Sequence, residues 1–324
     1  MVLADVARTY ATFHGFVQQH GDLLFRYSPD AHNTDDHHGQ ERATKVIHQI
    51  NLSSRNIVDE GTHDSKNSSC RQIHPDWEYK LWTDSTATAF MRENFPTLAP
   101  HYEGYRQPIQ KANILRYAVL HHYGGVYLDL DVDCLAPLDD LLYLPFLSPG
   151  AYPAGVNNAF ILTRPRHPFL DMLLREAPSH DLRWPLPYVE NMLSTGCMFF
   201  SNRWMSHVRA LRAQKDEVSY DDRVFIIADE SGDMDGHMLR GKVTTPLFTH
   251  HGASSWHSWD AAVIVQIGKH YILIPMVFMF GLICLILSIS KCMRVPTGRL
   301  NLARKSGISR KPDIEEAFVV HKGD

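Results

Sequence analysis

Three carboxylates, Asp129, Asp131 and Asp133, stand at alternate positions in 124-GGVYLDLDVDCLAPL-138. Along an extended chain, side chains two apart share a face, so the three repel one another unless a cation lies among them. Carboxylate oxygens are hard ligands suited to Mg2+ or Mn2+. The segment DLDVDCLAPLDD carries acids at four EF-hand ligand places, but Cys134 stands where that loop needs Gly, and Pro137 and the preceding apolar run do not fit a helix-loop-helix. An aspartyl phosphotransferase also sets paired aspartates after a strand, yet no companion lysine motif is evident. A solvated Asp-rich turn is the bland alternative, because a D-x-D alone is a weak signal.

To put these carboxylates where α/β sheets bind ligands, 126-VYLDL-130 must be a strand that ends at them. The stretch 108-PIQKANILRYAVLHHYGG-125 predicts the helix before it. Pro108 starts that helix, Ile109, Ala112, Leu115 and Val119 recur at helical spacing, and Gly124 and Gly125 stop it. Strands are predicted at 45-KVIHQI-50, 78-EYKLW-82, 155-GVNNAFILTRP-165 and 223-RVFIIA-228, with a helix at 168-PFLDMLLREA-177. This alternation implies an α/β domain with an at least partly parallel sheet. Residues 1–42 end in DAHNTDDHHGQER and lack periodicity, so they are expected to be a flexible leader, with Asp35, Asp36, His37 and His38 solvated.

A chain of 324 residues allows one large α/β unit with appendages. A net charge of −4 gives no electrostatic case for nucleic acid. The stretch 271-YILIPMVFMFGLICLILSIS-290 has no formal charge and is long enough to cross a bilayer as a helix, in which Pro275 and Gly281 are tolerated. Lys291, Arg294, Arg299, Arg304, Lys305, Arg310 and Lys311 follow it, against Lys269 before it, which places residues 291–324 as a basic cytosolic tail and the preceding chain in the lumen. The opening MVLADVARTYATFHGFVQQHGDLLF has no basic region followed by an apolar run. The expectation is that an anchoring signal is missing from this sequence or that translocation depends on the C-terminal span. The five cysteines show no C-x-x-C spacing and make no zinc site. In a lumen, a disulfide among Cys70, Cys134 and Cys197 is open, and the sequons at Asn51 and Asn67 gain meaning.

The run 112-ANILRYAVLHHYGGVYLDLDV-132 resembles the sugar-nucleotide-binding core of family 32 glycosyltransferases, an Ala-x-x-x-Arg-Tyr helix, a Gly-Gly turn and Tyr-x-Asp-x-Asp. The likeness covers about residues 43–260 and includes 195-TGCMFF-200 and 250-HHGASSWH-257. With the C-terminal span it is similar to the fungal inositol phosphorylceramide mannosyltransferases within that family. The resemblance implies a glycosyltransferase-A (Rossmann-like) domain with a mixed sheet over residues 43–262, plus a transmembrane helix at 271–290. It implies transfer of mannose from a GDP-mannose donor to inositol phosphorylceramide in the Golgi membrane, metal-dependent and retaining, with a membrane regulatory subunit as a further partner. An α-1,6-mannosyltransferase acting on N-glycans, or a non-catalytic regulatory subunit, are the alternatives.

The same resemblance suggests residue roles. Asp131 would bind Mn2+ or Mg2+ directly, Asp129 in part through water or the donor ribose, and Asp133 from behind them. Asn113 and Arg116 share a helix face and would reach the donor sugar. Asn157 and Asn158 would bond sugar hydroxyls, while Tyr127 and Trp82 either flank the nucleotide or pack in the core. His251 and Ser254 would complete the metal shell and the Trp256 N–H would touch the diphosphate. His250 is as much a structural histidine as a functional one, and Trp259 is interfacial or packed.

Overall fold

The computed structural model describes residues 13, 15, 19–28, 40–52, 69–151, 155–181, 183–214, 218–228, 243–252, 259–263, 279–281 and 284–286. The chain divides into two compact units, Met1–Lys269 and His270–Asp324. In the second, residues 279–281 and 284–286 are helical, and Met279, Phe280, Leu285 and Ile286 are exposed. Among the described residues no helix is long and apolar enough to cross a membrane. Most of the predicted span at 271–290, and all of the 291–324 tail, lie outside the described residues.

The first unit runs β1 (Leu24–Arg26), β2 (Val46–Ile50), α1 (Ser69–Ile73), β3 (Glu78–Trp82), α2 (Asp84–Asn94), α3 (Ala99–Gly104), α4 (Pro108–Tyr123), β4 (Gly125–Leu128) and β5 (Val132–Cys134). It continues through β6 (Phe146–Pro149), β7 (Phe160–Thr163), α5 (Pro168–Glu176), α6 (Pro187–Ser194), α7 (Cys197–Arg212), β8 (Phe225–Ala228), β9 (Val243–Thr244) and β10 (Phe248–His250). Seven strands form a sheet in the order β1-β8-β6-β7-β4-β2-β3, in which β7 runs antiparallel to both neighbours and the other pairings are parallel. Every residue of β2, β4, β6 and β7 is buried, the apolar signature of strands covered on both faces. A three-stranded antiparallel sheet, β5-β10-β9, holds the segment after the carboxylates.

The helix and turn that aim the site follow from local chemistry. Pro108 opens α4, where its missing N–H is no loss, and Gln110 Oε1 accepts the Gln107 N–H at 3.3 Å. At the far end Gly124 and Gly125 take φ of 69° and 88°. A Cβ on Gly125 would sit 2.4 Å from the Val46 carbonyl oxygen, so the passage from helix to central strand needs glycine.

The leader is in part folded into the domain, contrary to expectation. Leu24–Arg26 pair in parallel with Ile226–Ala228, and Phe13 is buried against Trp204. The apolar GDLLFRY segment covers an edge of the sheet that β8 would otherwise present unpaired. The disulfide joins Cys70 to Cys134, tying α1 to β5 across 64 residues. Ser69, His74 and Trp77 reinforce that clasp: Ser69 Oγ accepts the Cys134 N–H (3.0 Å), His74 Nε2 accepts the Leu138 N–H (2.9 Å), and Trp77 Nε1–H donates to Asp139 (3.2 Å).

Candidate active site

β4 ends at Leu128 and the chain turns at once. The Asp129 N–H donates to the Ala159 carbonyl (2.9 Å), and the Asp129 carbonyl accepts the Val132 N–H (3.2 Å). The backbone over 129–132 is therefore a tight turn, not the extended run that alternation suggested, and the three carboxylates part company. Asp129 and Asp131 are brought together with His250, their candidate ligand atoms all within 4.8 Å of one another. Asp133 is bonded elsewhere, accepting from Ser69 Oγ (3.2 Å) and lying 2.7 Å from His251 Nε2.

His250 reaches the cluster because β10 pairs with β5 in a register that sets it opposite Val132. Its Nε2 is 3.4 Å from Asp131 Oδ1, and its Nδ1 accepts the Gly252 N–H at 3.0 Å. A neutral ring that accepts at Nδ1 carries its hydrogen on Nε2, directed at Asp131. The Asp131 carbonyl accepts the His251 N–H (2.9 Å), which fixes the spacing between the two loops. Two carboxylates and one imidazole form a donor set that fits a divalent ion such as Mn2+ or Mg2+. His251, expected in the metal shell, is instead the partner of Asp133; Ser254 and Trp256 lie outside the described residues.

Asp129 is held from below. Tyr127 donates its hydroxyl to Asp129 Oδ1 at 2.6 Å, and Arg116 Nη1 lies 3.2 Å from the same oxygen. That nitrogen also donates to the Asn158 carbonyl (2.6 Å), and the guanidinium stacks over the Tyr127 ring at 4.4 Å. Burial opposes the charge of Arg116, but Tyr127 and Asp129 outweigh it and hold its pKa above the ordinary value. Burial likewise pushes the Tyr127 hydroxyl well up, so it remains a donor. Arg116 Nε is buried and has no partner among the described residues. A ligand oxygen in the site would satisfy it.

The asparagines expected to meet the donor sugar are spent inside the protein. Asn113 Nδ2 donates to Asn191 (2.9 Å) and to Thr195 Oγ1 (3.1 Å), and its Oδ1 accepts from Asn158 Nδ2 (3.3 Å). Asn158 Nδ2 also donates to the Tyr117 hydroxyl (2.8 Å), and its Oδ1 accepts the Cys197 thiol, which burial pushes up to about 11. Asn157 Oδ1 accepts the Ala159 N–H (2.7 Å). These side chains lock α4, α6 and the approach to β7 together and set the Asn158 carbonyl that receives Arg116. Trp82 is a core residue, donating to His48 Nδ1 (3.2 Å) and packing on Phe90. Asn191 and Ser69 carry no local signal in the sequence, Thr195 opens the TGCMFF stretch without a role of its own, and of the His250-His251 pair only the β5–β10 register selects the first member.

A family model described as the glycosyltransferase sugar-binding region containing the DXD motif matches residues 62–145. Inositol phosphoceramide mannosyltransferase 2 of Schizosaccharomyces pombe is 34% identical over 233 residues, 72% of this chain and 63% of its own length. Inositol phosphoceramide mannosyltransferase 1 of the same yeast is 30% identical over 290 residues, 86% of this chain and 81% of that relative. The mannosyl phosphorylinositol ceramide synthase SUR1 of Saccharomyces cerevisiae is 41% identical over 140 residues, 43% of this chain and 37% of its own. The chain thus spans somewhat less than two thirds of the first relative and about four fifths of the second. By the extent of these matches and the D-x-D that closes its central strand, the chain belongs to the glycosyltransferase family whose sugar-binding region contains the DXD motif.

Proposed function

We propose that this chain transfers mannose from GDP-mannose to inositol phosphorylceramide with retention of configuration, using Mn2+ or Mg2+ held by Asp129, Asp131 and His250. The observation that carries the reading is the convergence of those three side chains at the end of β4, beside a buried arginine whose Nε has no partner among the described residues. The sugar and the acceptor come from the names of the yeast relatives. A divalent ion there would supply Lewis-acid stabilisation of the departing diphosphate, which needs no general acid. Tyr127 and Arg116 both engage Asp129 Oδ1 and would hold that carboxylate in place for the ion. Arg116 Nε is the donor we assign to a phosphate or sugar oxygen. His250 would hold the ion through Nε2, with its ring hydrogen on Nδ1, the nitrogen that accepts the Gly252 N–H in this structure. Retention is assigned to attack from the face that the diphosphate leaves.

In this reading residues 271–290 span the Golgi membrane, the tail is cytosolic and the catalytic unit is lumenal. The Cys70–Cys134 disulfide supports an oxidising compartment. Membranes carrying the chain, given labelled GDP-mannose and inositol phosphorylceramide, are expected to yield mannosylated lipid that disappears with EDTA. Transfer indifferent to the chelator would sink the metal role, and label entering only N-glycans would sink the acceptor. Protease added to sealed vesicles is expected to clip a C-terminal tag and spare the domain; the reverse would overturn the topology.

A further inference from the structure

Residues 259–263 form a short helical turn whose rotation is fixed from one side. Asp260 is buried, and its Oδ2 accepts the Tyr188 N–H (2.7 Å) in the first turn of α6, where a carboxylate is favoured. Ala261 is wholly buried and packs with Tyr188 and Met192. With those two residues turned inward, Trp259 and Val263, four apart on the other side, are 68% and 52% exposed. The largest apolar side chain of the turn is thus held in the open by a defined contact. An indole, with an apolar body and one N–H, is the side chain most at home at a water–lipid boundary.

The next stretch of chain points to the surface that covers this face. The uncharged run 271–290 begins eight residues after Val263, and eight residues extend no farther than about 29 Å. The intervening IVQIG is itself uncharged, and Lys269 stands just ahead of the run, a residue suited to lipid phosphates. We propose that the Trp259–Val263 face seats in the headgroup layer of the membrane that the chain enters near residue 271. The inference rests on reading 271–290 as a span. It gives α6 a second role: the helix capped by Asp260 also carries Asn191, which bonds Asn113, so the membrane-seated turn and the network beneath Arg116 share one rigid element.

The test uses the full chain reconstituted in phosphatidylcholine vesicles with and without brominated acyl chains. The chain has six tryptophans, so the emission of Trp259 is taken as the difference between wild type and Trp259→Phe, a change that keeps an aromatic ring. Brominated lipid is expected to quench that difference at least about twofold, with protection from aqueous iodide at every protein-to-lipid ratio. Equal iodide access in vesicles and in detergent would overturn the proposal. So would protection that appears only at high protein density, which would assign the face to a second copy of the chain. Failure of the full chain to float with vesicles would instead overturn the span on which the proposal depends. Flotation with Trp259 in water sinks the docking face alone.

Discussion

Replacing Asp131 by Asn separates metal binding from folding. In the metal-free protein the amide oxygen can still accept from His250 Nε2 across 3.4 Å, and relief of repulsion with Asp129 offsets the lost charge, so stability is expected to change by less than about 1 kcal/mol. With Mn2+ at about 100 times its dissociation constant, wild type gains about 2.7 kcal/mol, which for a domain of this size raises Tm by about 5–10 °C. Outer-shell partners of a metal already cost about 10–100-fold in affinity, so loss of a charged ligand is set at about 100-fold. At the same Mn2+ concentration the variant then gains only about 0.4 kcal/mol, about 1 °C. Differential scanning fluorimetry with GDP present reads both numbers on one plate. Turnover is expected to fall at least about 100-fold, because about 3 kcal/mol of transition-state stabilisation is lost. A variant that keeps the full metal-linked rise would refute Asp131 as a ligand, whatever its activity.

Arg116→Lys keeps the charge but loses the fork that bonds Asn158 and Asp129 over the Tyr127 ring; kcat/KM is expected to drop about 100-fold with a native circular dichroism spectrum, and unchanged kcat/KM would remove Arg116 from the site. Cys70→Ser/Cys134→Ser releases a 64-residue loop and is expected to cost on the order of 4 kcal/mol in urea unfolding; a loss under about 1 kcal/mol would mean that the hydrogen bonds of Ser69 and His74 hold the clasp alone. His48 donates to the Gly124 carbonyl and accepts from Trp82, and burial lowers its pKa to about 4. Its folded pKa lies below the unfolded value near 6.5, so its contribution is complete above that pH and is lost as pH falls towards 4, to a limit of about 3 kcal/mol. Urea midpoints between pH 7 and pH 4.5 should fall less for His48→Gln than for wild type, and equal falls would refute the assignment.

The elements that aim the site were legible because they are punctuated locally. Pro108 and the Gly124-Gly125 pair bound α4, and the strands β2, β3 and β4 fall where short apolar runs predicted them. The features that escaped are set by partners far along the chain. The turn at 129–132 follows the point where β7 pairs with β4 up to Phe160 and Ala159 takes the next N–H, so Asp133 lies apart from Asp129 and Asp131 despite the alternation. Asn113 has the right type and face for a sugar hydroxyl, but Asn191 and Thr195 arrive from 78 and 82 residues away to occupy its amide. The leader misled for the same reason: β1 has no periodicity of its own and is a strand because β8 offers it an edge.

The small β5-β10-β9 sheet has a consequence for the order in which the site is assembled. His251 meets Asp133 across 118 residues, and its neighbour His250 meets Asp131 over a similar span. At about 5–20 residues per second, synthesis leaves the two aspartates waiting on the order of 6–24 s for the imidazole. Cys70 and Cys134 both emerge well before it. In the proposed lumenal location, oxidation would set β5 against α1 while β10 is still unmade, and the finished strand would template the last long-range closure, the slow kind of contact. A chain halted near residue 200 should carry the disulfide yet show no Mn2+-linked protection, and metal capture should date the completion of the fold.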